Sequence, residues 1–169
     1  MTDNPGLSEA PLPAGHHLTR AIEPPVWYFL SLYQSVGRDW EWNDRFQEGE
    51  AELAHFVSDP AVELWTVSAG GWPRGFFQLD FRAGFAVDLA YFGLVPEAIG
   101  AGLGRALLQS AVAKAWSRPQ TRKMTVNTCT LDHPSAVALY LSVGFLPASH
   151  QVIKKTLKYD RVAPLAEPA

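Results

Sequence analysis

A cluster of glycines between an apolar run and a periodic segment constrains this chain more than any other feature. Pro96 interrupts the apolar run, and Gly100, Gly102 and Gly104 lead into residues 103–116, where apolar side chains recur at helical spacing. The first amides of a helix have no intrahelical acceptor and lie at the positive end of its dipole. Glycine lets a ligand approach those amides closely. The sequence therefore predicts a strand, a turn and a helix that together form an anion site, best suited to phosphate.

Two common phosphate-binding motifs do not fit this turn. A P-loop needs a lysine directly after its last glycine, and no lysine follows here. A dinucleotide fingerprint has the spacing GxGxxG near the start of the first βαβ unit and an acidic residue about 20 positions later. Here the spacing is GxGxG, the turn lies past the middle of the chain, and residues 121–123 contain no acid. A turn that only connects a strand tightly to a helix remains the alternative.

Hydrophobic spacing and turn residues predict ten elements in the order βααβββαβαβ. This order indicates an α/β fold with a mixed, mostly antiparallel sheet of six to seven strands and helices on both faces. One domain is expected over 16–160, between flexible tails at 1–15 and 161–169 that have no periodic apolar residues. The predicted elements span residues 17–22, 26–36, 47–57, 62–67, 75–81, 85–95, 103–116, 122–130, 132–144 and 152–157.

Composition narrows the function classes. The chain has 169 residues, of which 47% are hydrophobic, so it can form one domain with a substantial core. A net charge of −3 gives no basic surface for nucleic acid or an anionic membrane. The single cysteine excludes an intrachain disulfide, and the histidines lack metal-ligand spacing, so no metal is predicted. The first residues have no signal or transit pattern, which predicts a cytoplasmic protein.

Two motifs together resemble the GNAT N-acetyltransferase superfamily. Gly102 and Gly104 match the family's [Gln/Arg]-x-x-Gly-x-[Gly/Ala] loop, and residues 136–145 match its A-x-x-L-Y-x-x-x-G-F helix almost residue by residue. The element order over 17–157 also fits the family. The resemblance implies an enzyme that moves an acetyl group from acetyl-CoA to a primary amine of a small molecule or peptide. Transfer would be direct, within a ternary complex. A homodimer is left open.

The resemblance also implies which residues contact the coenzyme. Ile99 stands where the family has Gln or Arg, and His133 stands where it often has Asn, so each departs from the motif. For His133, capping the following helix is the alternative role. The expected coenzyme-binding residues are Leu94, Val95, Ile99, Gly100, Ala101, Gly102, Leu103, Gly104, Arg105 and His133.

Tyr140 is the general acid implied by the resemblance, and packing in the core is its alternative role. A tyrosine with a pKa near 10 stays protonated at neutral pH and can donate a proton to the departing thiolate. Trp40, Trp42 and Asp88 are the expected acceptor-binding residues, with coverage of the sheet edge as the alternative for the indoles. The residue that deprotonates the amine is not determined. The candidates are Glu23, Glu41, Asp44, Asp80 and Asp88.

Two other functions remain open at this stage. One is a module that binds and senses acyl-CoA without catalysis, and an intact Tyr140 favours the enzyme over it. The other is a different kind of nucleotide-phosphate protein, which binding of CoA compared with ATP and NAD would distinguish.

Overall fold

A computed structural model describes residues 1–154 of the chain. The first strand is followed by two helices and then by three consecutive strands, and the fifth strand lies between two further helices. None of the helices within these residues is long and apolar enough to cross a bilayer. The elements are β1 His16–Ala21, α1 Val26–Gly37, short 3-10 helices at Arg38–Trp40 and Arg45–Gln47, α2 Glu50–Ser58, β2 Val62–Ala69, β3 Trp72–Asp80, β4 Ala86–Leu94, a 3-10 turn at Pro96–Ala98, α3 Leu103–Trp116, β5 Lys123–Val126 and α4 Ala136–Leu141.

The sheet has the strand order β1-β2-β3-β4-β5. The first four strands are antiparallel to their neighbours, whereas β5 runs parallel to β4, as the α3 crossover requires. The α/β fold class and the mixed sheet are confirmed. The prediction of six to seven strands is wrong, because the sheet has five strands in the described part of the chain.

The difference in strand number arises after β5. The strand predicted over 122–130 ends at Val126, because the Asp132 carboxylate accepts hydrogen bonds from the Cys129 amide and the Thr128 hydroxyl. Those bonds close a turn where the alternating sequence favoured extension. Of the strand predicted over 152–157, residues 152–154 are not in a strand and residues 155–157 lie outside the described part of the chain.

Helices cover both faces of the sheet, as predicted. A Cβ at Gly93 would collide with the Val36 side chain of α1, which places α1 on the face toward which Gly93 points. Successive strand residues point to opposite faces, so Phe92 and Leu94 point the other way. There they meet the second pair of helices: the Phe92 ring contacts Tyr140 of α4, and Leu94 lies beside the start of α3.

β4 leaves its partner halfway along its length. Pairing with β5 runs only from Ala86 to Leu89, where the partner is Val126. A bulge in the β3–β4 ladder skips Ala90. Residues 90–94 therefore have a paired edge toward β3, and no partner from β5 on the other side within the described residues. The edge facing β5 can accept an extended chain or ligand.

α4 is shorter than the helix predicted over 132–144. It begins at Ala136 and ends at Leu141, after which the Val143 and Gly144 amides donate to the carbonyls three residues before them. Gly144 has a φ of 100°, a left-handed conformation that ends a helix. Phe145 then turns back and packs on Tyr140, with ring centroids 5.9 Å apart.

The first fifteen residues pack on the domain, although nothing periodic in their sequence predicts this. Met1 exchanges two backbone hydrogen bonds with Met124 of β5, at 3.0 and 2.8 Å. Glu9 forms an ion pair with Lys114 of α3 at 2.8 Å. Leu7 and Leu12 are partly buried against the core. The domain boundary at residue 16 stays a prediction.

Candidate active site

The glycine turn before α3 is open to the surface. Gly100 and Gly102 have φ values of 88° and 74°, in the left-handed region that favours glycine. A Cβ at either position would meet nothing within 4 Å. Gly102 is the N-cap of α3, and no side chain caps the helix there. The turn therefore presents uncapped helix amides to its surroundings, with the exposed residues Ala101 and Arg105 on either side.

The turn lies directly beside β4 and α4. A Cβ at Gly104 would be 3.7 Å from a Leu94 methyl group and 3.8 Å from one of Leu139. The first turn of α3 therefore packs between the end of β4 and the residue before Tyr140, and the position of Gly104 has room for a methyl group. Leu103 is fully buried and fixes the helix start in the core, whereas Ile99 is 43% exposed.

Leu94 and Val95, two of the predicted coenzyme-binding residues, differ in whether their backbone amide is free to donate to a ligand. The Val95 amide donates to the Arg74 carbonyl of β3 at 3.0 Å, so it is already used within the sheet. Successive amides of an extended chain point to opposite edges, so the Leu94 amide faces the open edge. Of this pair, Leu94 is the residue with a donor left for a ligand.

Tyr140 reaches the open part of β4 from the α3 side. Its ring packs between Phe92 and Phe145 and is 9% exposed. No group within residues 1–154 hydrogen-bonds to its hydroxyl, which leaves that hydroxyl able to donate to a ligand. Burial, with a smaller effect of Asp132, raises the pKa of Tyr140 above its ordinary value, so the phenol keeps its proton through alkaline pH.

Asp88 lies at the point where β4 and β5 separate, on the opposite face. Asp88 pairs with Asp80 of β3, and Tyr91 pairs with Gln78. Asp80 and Gln78 point to the same face of the sheet. Since Tyr91 contacts Tyr33 of α1, Asp88 also lies on the α1 face. Thr125 donates to the Asp88 carboxylate at 2.7 Å. Burial raises the pKa of Asp88, and the Thr125 hydrogen bond opposes that effect. The carboxylate therefore takes up a proton at a higher pH than an exposed aspartate does.

His133 lies two residues before the N-cap of α4 and contacts the α1–α2 loop. The Ser135 amide donates to its Nδ1 at 3.1 Å, within the turn that precedes the helix. The imidazole packs edge-on against Trp40, with centroids 5.2 Å apart. No side chain caps α4 at Ser135, so the capping role and the coenzyme contact of His133 both stay predictions. The Trp40–His133 contact joins the loop on the α1 face to the start of α4.

Trp42 packs under the α1–α2 loop against other aromatic side chains. Its ring contacts Tyr33, Tyr91 and Phe76, with centroids 5.5, 5.4 and 6.3 Å away. A Cβ at Gly37 would collide with the indole, so α1 ends in glycine where the ring crosses it. The contacts support the packing role for Trp42.

Replacing Trp42 with alanine is expected to lower the free energy of unfolding by about 2 kcal/mol, less than for a fully buried tryptophan because the ring is only partly buried. Urea titration followed by circular dichroism measures this. Trp27→Ala is the matched control, since Trp27 is 67% exposed, and we expect it to change stability by less than about 1 kcal/mol. Equal losses in the two variants would contradict the packing role.

Sequence reasoning missed one cluster, formed by the side chains of Tyr33, Asp44, Arg45, Glu48 and Tyr91. The Asp44 carboxylate accepts hydrogen bonds from both phenols, and Arg45 bonds to Tyr91 and Glu48. Asp44 was a candidate only as one of several acids. No spacing in the sequence relates residues on α1, the loop and β4, because the sheet brings them together from distant positions.

A groove of about 810 Å³ lies along the outer side of α1. Trp27 and Trp72 line one part of it, and Arg38 and Glu97 line another. It reaches Val95 but neither Tyr140 nor the glycine turn. The groove is therefore separate from the predicted site.

Comparison with protein families gives one match. The model of the family described as "Acetyltransferase (GNAT) family" matches residues 29–145, which is more than half of the chain. The match includes the end of β4, the glycine turn, α3 and α4. A search of curated protein sequences finds no match.

Solved structures with the same fold include several acetyltransferases. An aminoglycoside acetyltransferase from an uncultured soil metagenomic sample has a TM-score of 0.63 at 14% identity, covering 83% of this chain and 99% of that one. The aminoglycoside N-acetyltransferase AAC(6')-Iy in complex with CoA has 0.60 at 13%, covering 87% and 98%. A ribosomal-protein-alanine N-acetyltransferase from Brucella melitensis biovar Abortus 2308 has 0.57 at 16%, covering 83% and 99%. At these identities the likeness shows the fold alone.

Proposed function

The chain belongs to the acetyltransferase (GNAT) family, and from that premise we propose that it transfers an acetyl group from acetyl-CoA directly to a primary amine of a small molecule or peptide. One observation carries this proposal: the unpaired edge of β4 at residues 90–94 lies beside both the uncapped start of α3 and Tyr140, whose hydroxyl has no hydrogen-bond partner within residues 1–154. The structural neighbours named above act on aminoglycosides and on a ribosomal protein, which are both carriers of amino groups.

The residues present fit coenzyme A. The uncapped amides at the start of α3 and the open positions of Gly100 and Gly102 suit its diphosphate. The Leu94 amide on the open edge suits an amide of the pantetheine arm, in the manner of an added strand. Acetyl-CoA supplies the acetyl group as a thioester.

Asp88 is proposed as the group that takes a proton from the amine. A lysine-like amine with a pKa near 10.4 is almost entirely protonated at neutral pH and cannot attack a carbonyl carbon until it loses that proton. Asp88 lies at the fork of β4 and β5, and the raised pKa of its carboxyl makes it a stronger base than an exposed aspartate.

Tyr140 is proposed as the general acid. It approaches β4 from the face opposite Asp88, and its hydroxyl holds a proton at every pH where the amine reacts. Tyr140 Oη donates a proton to the leaving sulfur as the C–S bond breaks, and the proton that the nitrogen still carries after attack restores the phenol. The ammonium thus loses two protons, one to Asp88 and one through Tyr140 to the thiol. The two groups lie on opposite faces of β4, Asp88 where the strand still pairs with β5 and Tyr140 beside the unpaired residues.

The pH profile tests Asp88. Because the carboxylate must be ionised to act, kcat/KM is expected to fall as the pH drops through the raised pKa of Asp88. Asp88→Asn is expected to lower kcat/KM by about 100-fold and to remove that acid limb. Release of free thiol is the measurement, followed from about pH 4, the ordinary pKa of an aspartate, to about pH 9.

Asp80→Asn is the matched control, since Asp80 is the cross-strand partner of Asp88 on the same face. Its negative charge contributes to the raised pKa of Asp88. The control should therefore keep the acid limb and shift it to lower pH. An Asp88→Asn variant with the limb of the wild type would show that another group takes the proton.

A panel of acceptors tests the function as a whole. Amino acids, polyamines, aminoglycosides and peptides are each incubated with acetyl-CoA, and release of thiol is followed above the rate without acceptor. Acceptor-dependent release that Tyr140→Phe loses would support the enzyme. Tight binding of coenzyme A without release for any acceptor would favour the module that binds acyl-CoA without catalysis.

A further inference from the structure

The α1–α2 loop holds one exposed carboxylate in a fixed orientation. Asp44 receives a hydrogen bond on each oxygen, from Tyr33 of α1 at 2.5 Å and from Tyr91 of β4 at 3.3 Å. Burial and the Asp44 contact raise the pKa of Tyr33, and burial raises that of Tyr91 to about 12, so both phenols keep the protons they donate. The carboxylate is thus positioned by groups from a helix and a strand.

No cation of the described residues neutralises this carboxylate. Arg45, its neighbour, donates to both oxygens of Glu48 at 2.8 Å and through Nε to the Tyr91 hydroxyl at 2.7 Å. Asp44 forms no ion pair anywhere within residues 1–154. Each of its oxygens has accepted one bond and retains capacity for another.

Aromatic rings pack around Tyr33, the phenol that donates to Asp44. Tyr33 contacts Trp42, Phe46 and Tyr91, with centroids 5.5, 5.5 and 5.2 Å away. The Tyr91 ring already holds the Arg45 guanidinium, 5.4 Å from its centre. The exposed carboxylate, which has no ion pair within residues 1–154, therefore attracts an ammonium group by charge and hydrogen bonding.

We propose that Asp44 binds a second, non-reacting ammonium group of the acceptor, so that the substrate is a compound with at least two basic nitrogens. This inference rests on the proposed function. The nitrogen at Asp44 is not the one that attacks, because Asp44 lies beside Tyr91 and away from the Asp88 carboxylate that takes the proton. The reacting nitrogen lies near Asp88, which precedes Tyr91 by three residues on the same face of β4, about 10 Å along the strand.

Equilibrium binding tests this without depending on turnover. Calorimetry compares 1,6-diaminohexane with 1-aminohexane, which share a chain and differ in one ammonium group, in the presence of coenzyme A. The wild type is expected to bind the diamine about tenfold more tightly, the order of a hydrogen-bonded ion pair. Asp44→Asn is expected to lose that preference and to bind the two amines equally. The preference should also weaken as salt is raised.

Two further variants make the result decisive. Glu52→Gln removes one negative charge from the exposed face of α2, outside the cluster, and should keep the preference for the diamine. Tyr33→Phe keeps the carboxylate but removes one donor, and should reduce the preference without abolishing it. Thermal unfolding by circular dichroism shows whether Asp44→Asn folds, and if it does not, the Tyr33→Phe result decides.

The outcomes separate the two proposals. A wild type without preference for the diamine, or an Asp44→Asn variant that keeps it, overturns the role of Asp44. If the preference holds and depends on Asp44 but no acceptor gives thiol release, the acetyltransferase proposal fails while the cation site stands. If monoamines are acetylated as efficiently as diamines, the enzyme stands and the two-nitrogen substrate class does not.

Discussion

Gly102→Asp is expected to weaken coenzyme A binding by at least about 100-fold. The residue caps α3 with no side chain, at a position where a Cβ would meet nothing within 4 Å. An aspartate there would place a negative charge among the amides that the diphosphate needs, and two like charges about 4 Å apart repel by about 4 kcal/mol near a protein surface. Calorimetric titration with coenzyme A measures the loss.

Gly102→Asn separates charge from shape in this experiment. Asparagine has the same size as aspartate, and both tolerate a φ of 74° better than most residues do. Each variant is expected to lose about 1 kcal/mol of stability from the left-handed backbone. Only the aspartate adds charge, so Gly102→Asn should bind coenzyme A about tenfold or more tightly than Gly102→Asp does. Equal affinity in the two variants would show that no anion is bound at this turn.

Tyr140→Phe is expected to lower kcat by about 100-fold or more while leaving the affinity for coenzyme A unchanged. The hydroxyl has no hydrogen-bond partner within residues 1–154, and the ring packing on Phe92 and Phe145 is retained by phenylalanine. Removing the hydroxyl should therefore change the reaction and not the fold. Thiol release at saturating acceptor gives kcat, and thermal unfolding gives the stability.

Tyr140→Ala serves as the contrast, because it removes the ring as well as the proton donor. It is expected to lose about 3 kcal/mol of stability in addition to activity. A Tyr140→Phe variant with the turnover of the wild type would assign Tyr140 to core packing, the alternative that its helical neighbours offered.

Local patterns account for the parts of the fold that were predicted correctly. The periodicity of residues 103–116 and the strands predicted over 62–67 and 75–81 depend on neighbours in sequence, and the structure has α3 and the β2–β3 hairpin there. The length of β5 depended on a side chain, the Asp132 carboxylate, which closes a turn over residues 128–132. Side-chain capture of backbone groups cannot be read from alternation alone.

The candidate site divides in the same way. The glycine turn and Tyr140 are motif residues, and both lie on the same face of the end of β4. The uses of Val95 and Trp42 were not predictable, because they depend on strand register and on the glycine at position 37 that admits the indole. The hydrogen bonds that Tyr33 and Tyr91 donate to Asp44 arise only from tertiary packing. The cytoplasmic location and a homodimer stay predictions.

The unmatched half of β4 has a consequence for handling the protein. Exposed main-chain donors and acceptors along a strand favour association with another chain. When no extended ligand lies against residues 90–94, the free edges of β4 in two molecules can pair with each other. We therefore expect ligand-free samples to self-associate as the protein concentration rises. A tenfold excess over Kd would occupy the edge and stabilise the fold by about 1.4 kcal/mol. Storage with coenzyme A should therefore keep the protein dispersed, as light scattering can show.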